Sequence, residues 1–269
     1  MGTSSNALED AMKFVKMIIV FLLCSGGGVV AASQSGPLPS TCKQVVIVIT
    51  RSWNSSKGEL EGYRRLAKGA WHREFGPIPV LLGKRGLAWG IGIAGQDQEG
   101  LKKQERDWRS PAGIFKIGKL YTYDRALPPG IDYPFVTMTA RDVWISDPKS
   151  PNYNRHLSVD PRNPPPWYAR ERMRLGDPAH RYMLEIRHNA EHPIPGAGSA
   201  IFFHIQRGPT IPTSACTVMT QKNLLGLLRW LRPQDSPCYV LLPLKTYKLK
   251  QDAWQLPGTF LLKSRAFIN

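Results

Sequence analysis

Residues 201–219 read IFFHIQRGPTIPTSACTVM. An apolar run carries His204, and Cys216 follows twelve positions later, just past a Pro-Thr-Ser turn. A thiol attacks a carbonyl as its thiolate, so it needs a proton acceptor or a positive field beside it. A strand over residues 199–205 would project His204 to one face. Gly208-Pro209 and Pro212-Thr213 would then turn the chain back and place Cys216 on the returning segment. In that arrangement His204 is the base and Cys216 the nucleophile. Backbone N–H groups around Ala215, Cys216 and Thr217 could hold the oxyanion of an acyl intermediate. The pair alone leaves two other accounts open. Buried cysteine is common as a small apolar residue, and a histidine in an apolar strand is often a satisfied core residue. His188 and His192, four apart, could join His204 and Cys216 around zinc, although the proline after His192 suits a turn better than a rigid ligand helix.

The elements that must position the pair are mostly strands. The chain has 24 Gly and 23 Pro in 269 residues, which favours turns over long helices and predicts a β-rich, loop-rich domain. Residues 44–50 (QVVIVIT) read as a buried strand, with further strands over 78–83, 87–93, 136–145, 182–188 and 199–205. Over residues 57–71, Leu60, Tyr63, Leu66, Ala67 and Ala70 are spaced like one face of a helix, interrupted by Gly58, Gly62 and Gly69. A second helix is predicted from Gln221 to about Leu231, capped by Thr220 and stopped by Pro233, with Arg232 at its C-terminal end. Residues 96–110 read as a charged surface loop. Residues 147–166 form a long turn-rich loop in which Tyr153, Asn154 and Arg155 either close as a lid or brace the loop itself. Residues 170–174 (RERMR) concentrate positive charge. Trp89, Trp144 and Trp230 read as core residues.

The N-terminus reads as a targeting signal over residues 1–32: a short basic head with Lys13 and Lys16, the apolar stretch MIIVFLL, and small residues suited to cleavage. The apolar stretch is shorter than the roughly 20 residues a spanning helix needs. No stable membrane span is therefore expected after cleavage. A linker follows over residues 33–41, then one domain over 42–269. Removing residues 1–32 takes away Lys13, Lys16, Glu9 and Asp10, so the net charge of +16 is unchanged. Such a charge implies a polyanionic neighbour, and an export signal favours an anionic cell envelope over nucleic acid. Periplasm or cell envelope is the expected location. Cys24 would leave with the signal, and Cys42, Cys216 and Cys238 would remain. An odd count leaves one thiol over. A Cys42–Cys238 bridge would leave Cys216 free; a Cys216–Cys238 bridge would silence it.

Residues 196–233 (GAGSAIFFHIQRGPTIPTSACTVMTQKNLLGLLRWLRP) resemble the catalytic region of the L,D-transpeptidase (YkuD-like) family, in a divergent branch whose motif runs His, Arg-Gly-Pro, Pro-Thr, Cys-Thr. Residues 110–115 (SPAGIF) are similar to the family's Thr/Ser-Pro-x-Gly-x-Phe element, and residues 147–155 and the His188-Asn189 pair look like further elements of that branch. The resemblance runs from about residue 75 to 233. It departs at Ala215, where the family usually has Gly, and at Val218, where many members carry Arg or Asn. The resemblance implies a β-sandwich-like catalytic domain, mainly β with a few helices, that acts on peptidoglycan tetrapeptide stems. Cys216 would attack the third residue of a stem and His204 would carry the proton. An amine acceptor would give a cross-link, and water would make the enzyme an L,D-carboxypeptidase. The resemblance implies neither cofactor nor metal. Arg207 could grip a substrate carboxylate, and Ser214, His188 and Asn189 could line the cleft. A non-catalytic envelope-binding module on the same scaffold, motivated by the charge and by Ala215, and a zinc hydrolase are the alternatives.

Overall fold

The computed structural model describes residues 37–67 and 69–259. The expected targeting segment lies outside the described residues. Twelve strands are named in chain order: β1 (Gln44–Thr50), β2 (Lys57–Arg65), β3 (Trp71–Leu81), β4 (Leu87–Trp89), β5 (Ser110–Thr122), β6 (Phe135–Thr137), β7 (Asp142–Trp144), β8 (His156–Ser158), β9 (Tyr182–Ile186), β10 (Phe202–Ile205), β11 (Thr217–Met219) and β12 (Cys238–Pro243). The α-helices are α1 (Tyr168–Glu171), α2 (Gln221–Trp230) and α3 (Leu244–Lys250). The fold is mainly β, as expected.

The main sheet runs β12-β1-β2-β3-β11-β10-β9-β5-β4, and β12 also pairs antiparallel with β5. The eight strands from β12 round to β5 therefore close on themselves. β1 is buried along its whole length, because it lies between β12 and β2 and its β-branched side chains fill both faces. The leucines of α2 pack on this core: Leu224, Leu227 and Leu228 are buried. Thr220 caps the helix by accepting from the Asn223 amide at 3.3 Å. Arg232 donates to the carbonyls of Arg229 and Leu231, the role its position predicted.

Residues 57–71 correct the helix expectation. They form β2 and the turn into β3, and β2 pairs with β1 and β3. The helical spacing of Leu60 and Tyr63 is overridden by pairing and by glycine: a Cβ on Gly62 would sit 2.1 Å from the Phe75 ring, while Gly69 turns the hairpin at φ +82. Glu61 is buried between them, accepting from the Tyr63 hydroxyl at 2.7 Å and from Arg73 Nη1 at 3.0 Å. The expected strand over 136–145 is two strands, β6 and β7. Between them Asp142 Oδ2 accepts from the Thr139 amide and hydroxyl and bends the chain. The strand over 87–93 stops at Trp89, where Gly90 and Gly92 lie against Pro111 and Phe115.

The loop over 96–110 is more than a surface loop. Lys103 is buried and salt-bridged to Asp107 at 2.6 Å, and Glu105 accepts from the Ser199 hydroxyl at 2.7 Å. Tyr153, Asn154 and Arg155 brace rather than cover. The Gly198 amide donates to the Tyr153 hydroxyl at 3.0 Å, and Arg155 donates to the carbonyls of Ala190 and Glu191. Trp89 and Trp144 are buried, and Trp230 packs edge-on against Phe75 with ring centroids 4.9 Å apart.

Because the Phe75 ring occupies the space above Gly62 and is held there by Trp230, Gly62→Ala should lower unfolding stability by about 1–3 kcal/mol through overpacking. Urea denaturation monitored by circular dichroism measures this. An unchanged midpoint would show that the ring yields freely.

Candidate active site

β10 and β11 are parallel neighbours in the register Phe203↔Thr217, His204↔Val218. Alternate residues of a strand share a face. Phe203 and Thr217 therefore point together into the core, where Thr217 Oγ1 lies 2.9 Å from the Tyr239 hydroxyl and the Phe203 ring sits 4.8 Å from that of Tyr239. The opposite face carries Phe202, His204 and, one residue before β11, Cys216. These line one cavity of about 190 Å³ with Trp144, His180 and Met183. The register thus brings the base and the nucleophile of the sequence reading together. They are diagonal neighbours, roughly 7–8 Å apart at their backbones, a span that a long side chain such as histidine can bridge.

The loop before Cys216 is held by its carbonyls. Ser110 Oγ donates to the Ala215 carbonyl at 2.7 Å and accepts from the Gly83 amide at 2.8 Å. Thr213 Oγ1 donates to the Cys216 carbonyl at 2.7 Å, and the Thr213 amide donates to Leu82 at 2.9 Å. Ser110 begins the Ser-Pro-x-Gly-x-Phe element, which the sequence reading quoted without assigning the hydroxyl a task. Ala215 is not among the residues with positive φ, and its buried methyl joins the core. Its backbone does not demand glycine.

The cavity wall opposite is organised by Asn154. Its Oδ1 accepts from the Ala200 amide at 3.1 Å and from Trp144 Nε1 at 2.9 Å, and its Nδ2 donates to the carbonyls of His188 and Asn189. Ala200, at φ +54, turns its carbonyl to accept from the Cys216 thiol at 3.7 Å.

Cys216 Sγ thus bonds to a carbonyl rather than to the imidazole. Burial raises its pKa to about 11, against a smaller lowering by the Phe202 amide and by the charge of Lys103. β11 separates the thiol from the N-terminus of α2. Burial also pushes His204 down to about 4, helped by positive charge at His180 and Arg207. His204 Nδ1 lies 3.0 Å from the Ile205 carbonyl, a contact that favours a proton on Nδ1.

The remaining predicted residues fall as follows. Arg207 salt-bridges Asp177 at 2.6 Å. Ser214 is exposed in the loop before Cys216. His188 is buried, accepting from the Ile91 amide on Nδ1 and donating from Nε2 to the Ala197 carbonyl, and burial lowers its pKa to about 4. Asn189, at φ +51, donates to the Ile194 and Gly198 carbonyls. Neither lines the cavity of Cys216; Asn189 faces a separate cavity of about 710 Å³. Among the described residues no three His, Cys, Asp or Glu gather as a metal site. Cys42, Cys216 and Cys238 are all thiols, and the Cys42 thiol is raised by its hydrogen bond with Cys238 and by burial. Ser110, His180 and the charge of Lys103 bear on this cavity without having been assigned a task from sequence, and Asn154, read there as a lid or a brace, braces.

The chain matches the L,D-transpeptidase catalytic-domain (YkuD) family over residues 70–240 and belongs to that family. No curated protein and no solved structure matches it.

Two measurements follow from this geometry. Between pH values of about 4 and 11 both the thiol and the imidazole are neutral. Alkylation of Cys216 by iodoacetamide should therefore climb by about tenfold per pH unit between about pH 6 and 9, as the thiolate fraction grows. A flat rate from about pH 5 would instead reveal a preformed thiolate–imidazolium pair. Ser110→Ala leaves the Gly83 amide and the Ala215 carbonyl short of a buried partner, a loss of about 1–3 kcal/mol, whereas Ser110→Thr keeps the hydroxyl. Thermal denaturation of both variants checks this, and equal stability of Ser110→Ala and wild type would contradict it.

Proposed function

We propose that this protein is an exported cysteine L,D-transpeptidase of the cell envelope that acts on peptidoglycan tetrapeptide stems. The observation that carries the reading is the placement of Cys216 and His204 on one face of adjacent strands, lining one cavity, in a chain of the L,D-transpeptidase catalytic-domain family. The basic head and apolar stretch near the N-terminus, and the charge of +16, support export to an anionic envelope.

In the first step Cys216 Sγ attacks the carbonyl carbon at the L-centre of the third stem residue while His204 Nε2 takes the thiol proton. Because both groups are neutral at rest, the proton moves as the carbon–sulfur bond forms. Backbone amides around Cys216, at Ala215 and Thr217, are the donors for the oxyanion. His204 then protonates the departing amine of the terminal D-residue, leaving a thioester. In the second step an amine of another stem gives its proton to His204 and attacks the thioester carbonyl, and the sulfur leaves and regains the proton. The product is an amide cross-link between third residues; water in place of the amine gives the tripeptide.

The cavity of about 190 Å³ is smaller than a typical ligand pocket, which suits one scissile bond and its immediate substituents. Arg207 is occupied by Asp177. Arg170 of α1 and Arg172, which follows it, line the cavity and hold no ion pair among the described residues, while Glu171 between them accepts from the Ser146 amide at 2.9 Å. These two arginines are the cations best placed for the terminal carboxylate of the donor stem.

Incubation of purified sacculi and muropeptides with wild type, Cys216→Ala and His204→Gln tests the reading. The wild type should yield cross-linked dimers, Cys216→Ala should yield no product, and His204→Gln should fall by about 10²–10⁴-fold. Products that persist in Cys216→Ala would sink it, and tripeptide without dimer would redefine it as hydrolysis.

A further inference from the structure

His204 does not stand alone in the cavity. A single 3-10 turn, Pro178–His180, leads into β9, and Asp177 caps it by accepting from the His180 amide at 3.1 Å. The same Asp177 oxygen lies 2.8 Å from His180 Nδ1. Its other oxygen forms an ion pair with Arg207 Nη2 at 2.6 Å. Arg207 lies three residues beyond His204, so this carboxylate ties the segment leaving β10 to the turn entering β9. The result sets the His180 ring against the His204 ring, with centroids 4.9 Å apart and planes inclined at 32°. Both rings line the cavity that holds Cys216.

We propose that His180, clamped by Asp177 and through it by Arg207, is a positioning residue for the base His204. Its ring packs against the imidazole while the Ile205 carbonyl holds Nδ1, so the plane of His204 is fixed with Nε2 left to accept the thiol proton. The proposal rests on the reading of His204 as the base, and it gives Arg207 a task other than gripping substrate.

The charges around His204 bear this out. Burial pushes Asp177 up, but the hydrogen bonds from His180 and the charge of Arg207 outweigh it and hold the carboxyl below its usual range. The clamp is thus ionic. Positive charge at His180 and Arg207 adds to burial in disfavouring the imidazolium of His204, whereas the carbonyls of Ile205 and Ala179 favour it. From α1 and its C-terminal cap the cavity also receives Arg170, Glu171 and Arg172, and from the loop before β11 Cys216. Replacing His180 by an uncharged ring removes one of the groups that lower His204, so its titration must move upward.

His180→Phe keeps an aromatic ring but cannot bond Asp177; His180→Gln is a second variant should the first misfold. The titration of His204 is read from its imidazole nitrogen shifts by NMR. Turnover of muropeptides is read as kcat and KM. The midpoint of His204 should rise toward the ordinary histidine value in either variant. The acid limb of kcat should move to higher pH with it. Loss of an orienting partner should lower kcat by about 10–100-fold, by analogy with histidines oriented at metal centres, with KM within about twofold of wild type. Asp177→Asn, which keeps both histidines in the chain but weakens the clamp that orients them, should lower kcat in the same direction. An unmoved His204 titration would overturn the proposal, as would kcat at the wild-type level. So would a His180→Phe variant as inactive as His204→Gln with its His204 titration unmoved, since His180 would then be the base itself. If wild type turns over no muropeptide, the proposed function fails, and the nitrogen titration still decides the role of His180.

Discussion

The site depends on one strand register. Parallel pairing of Phe203 with Thr217 divides the two short strands into a core face and a cavity face. On the core face Phe203 and Thr217 are locked to Tyr239. A slip by one residue would send the phenylalanine and the threonine into the cavity and bury the imidazole and the thiol in their place. Burial of the core face therefore fixes the orientation of the reactive face. β10 and β11 have only four and three residues, so the hydrogen bonds between them are few. The register is held largely by what packs behind it.

What packs around it is mostly polar and satisfied. The residues that place Cys216 do so through backbone carbonyls: Ser110 on Ala215, Thr213 on Cys216 itself, and Asn154 through Ala200. Each hydroxyl or amide is buried or half-buried. Losing it would strand a partner in a poorly solvated place, which costs more than the bond contributes net. Such networks select one geometry among several that an apolar core would tolerate. The long loop over 147–155 and the charged loop over 96–110 belong to the same scaffold. Tyr153 and Glu105 meet at Gly198 and Ser199, the two residues before the Ala200 carbonyl that holds the thiol.

This explains which parts were legible from sequence. Composition and β-branched runs revealed a β-rich domain, and the strand β1 and helix α2 were read almost to the residue, because each carries a pattern of one period with clean ends. That Cys216 and His204 lie on one cavity was legible because their motif is local. Residues 57–71 were misread because Leu60, Tyr63 and Leu66 fit a helical period by chance, while the deciding contact, Gly62 against Phe75, is made by the neighbouring strand. His180 and Lys103 were invisible for a related reason. In sequence one is a histidine beside a proline turn and the other sits in a polar run; only the closure of the fold brings the first against His204 and buries the second near Cys216. Asn154 was quoted as part of a loop, but its four hydrogen bonds reach residues between ten and forty-six positions away.

The protonation of the resting site connects these constraints to the chemistry. A reactive cysteine is commonly primed by a stable ion pair, which demands that positive charge outweigh burial. Here burial prevails over both partners: the thiol is pushed up and the imidazole down, so the resting pair is neutral. A neutral thiol hydrogen-bonded to a carbonyl is a poor nucleophile toward stray electrophiles. In the function proposed above, a substrate carbonyl that enters the cavity must displace the bond to Ala200 before the sulfur can turn toward His204. Activation is then coupled to occupancy, and the positive charge of Lys103, with Arg170 and Arg172 on the cavity wall, can favour an anionic species there without holding a thiolate at rest. The same burial that makes the thiol inert alone makes the geometry of its base decisive. With no standing ion pair to draw the two groups together, the imidazole must already lie in the plane from which it can take the proton.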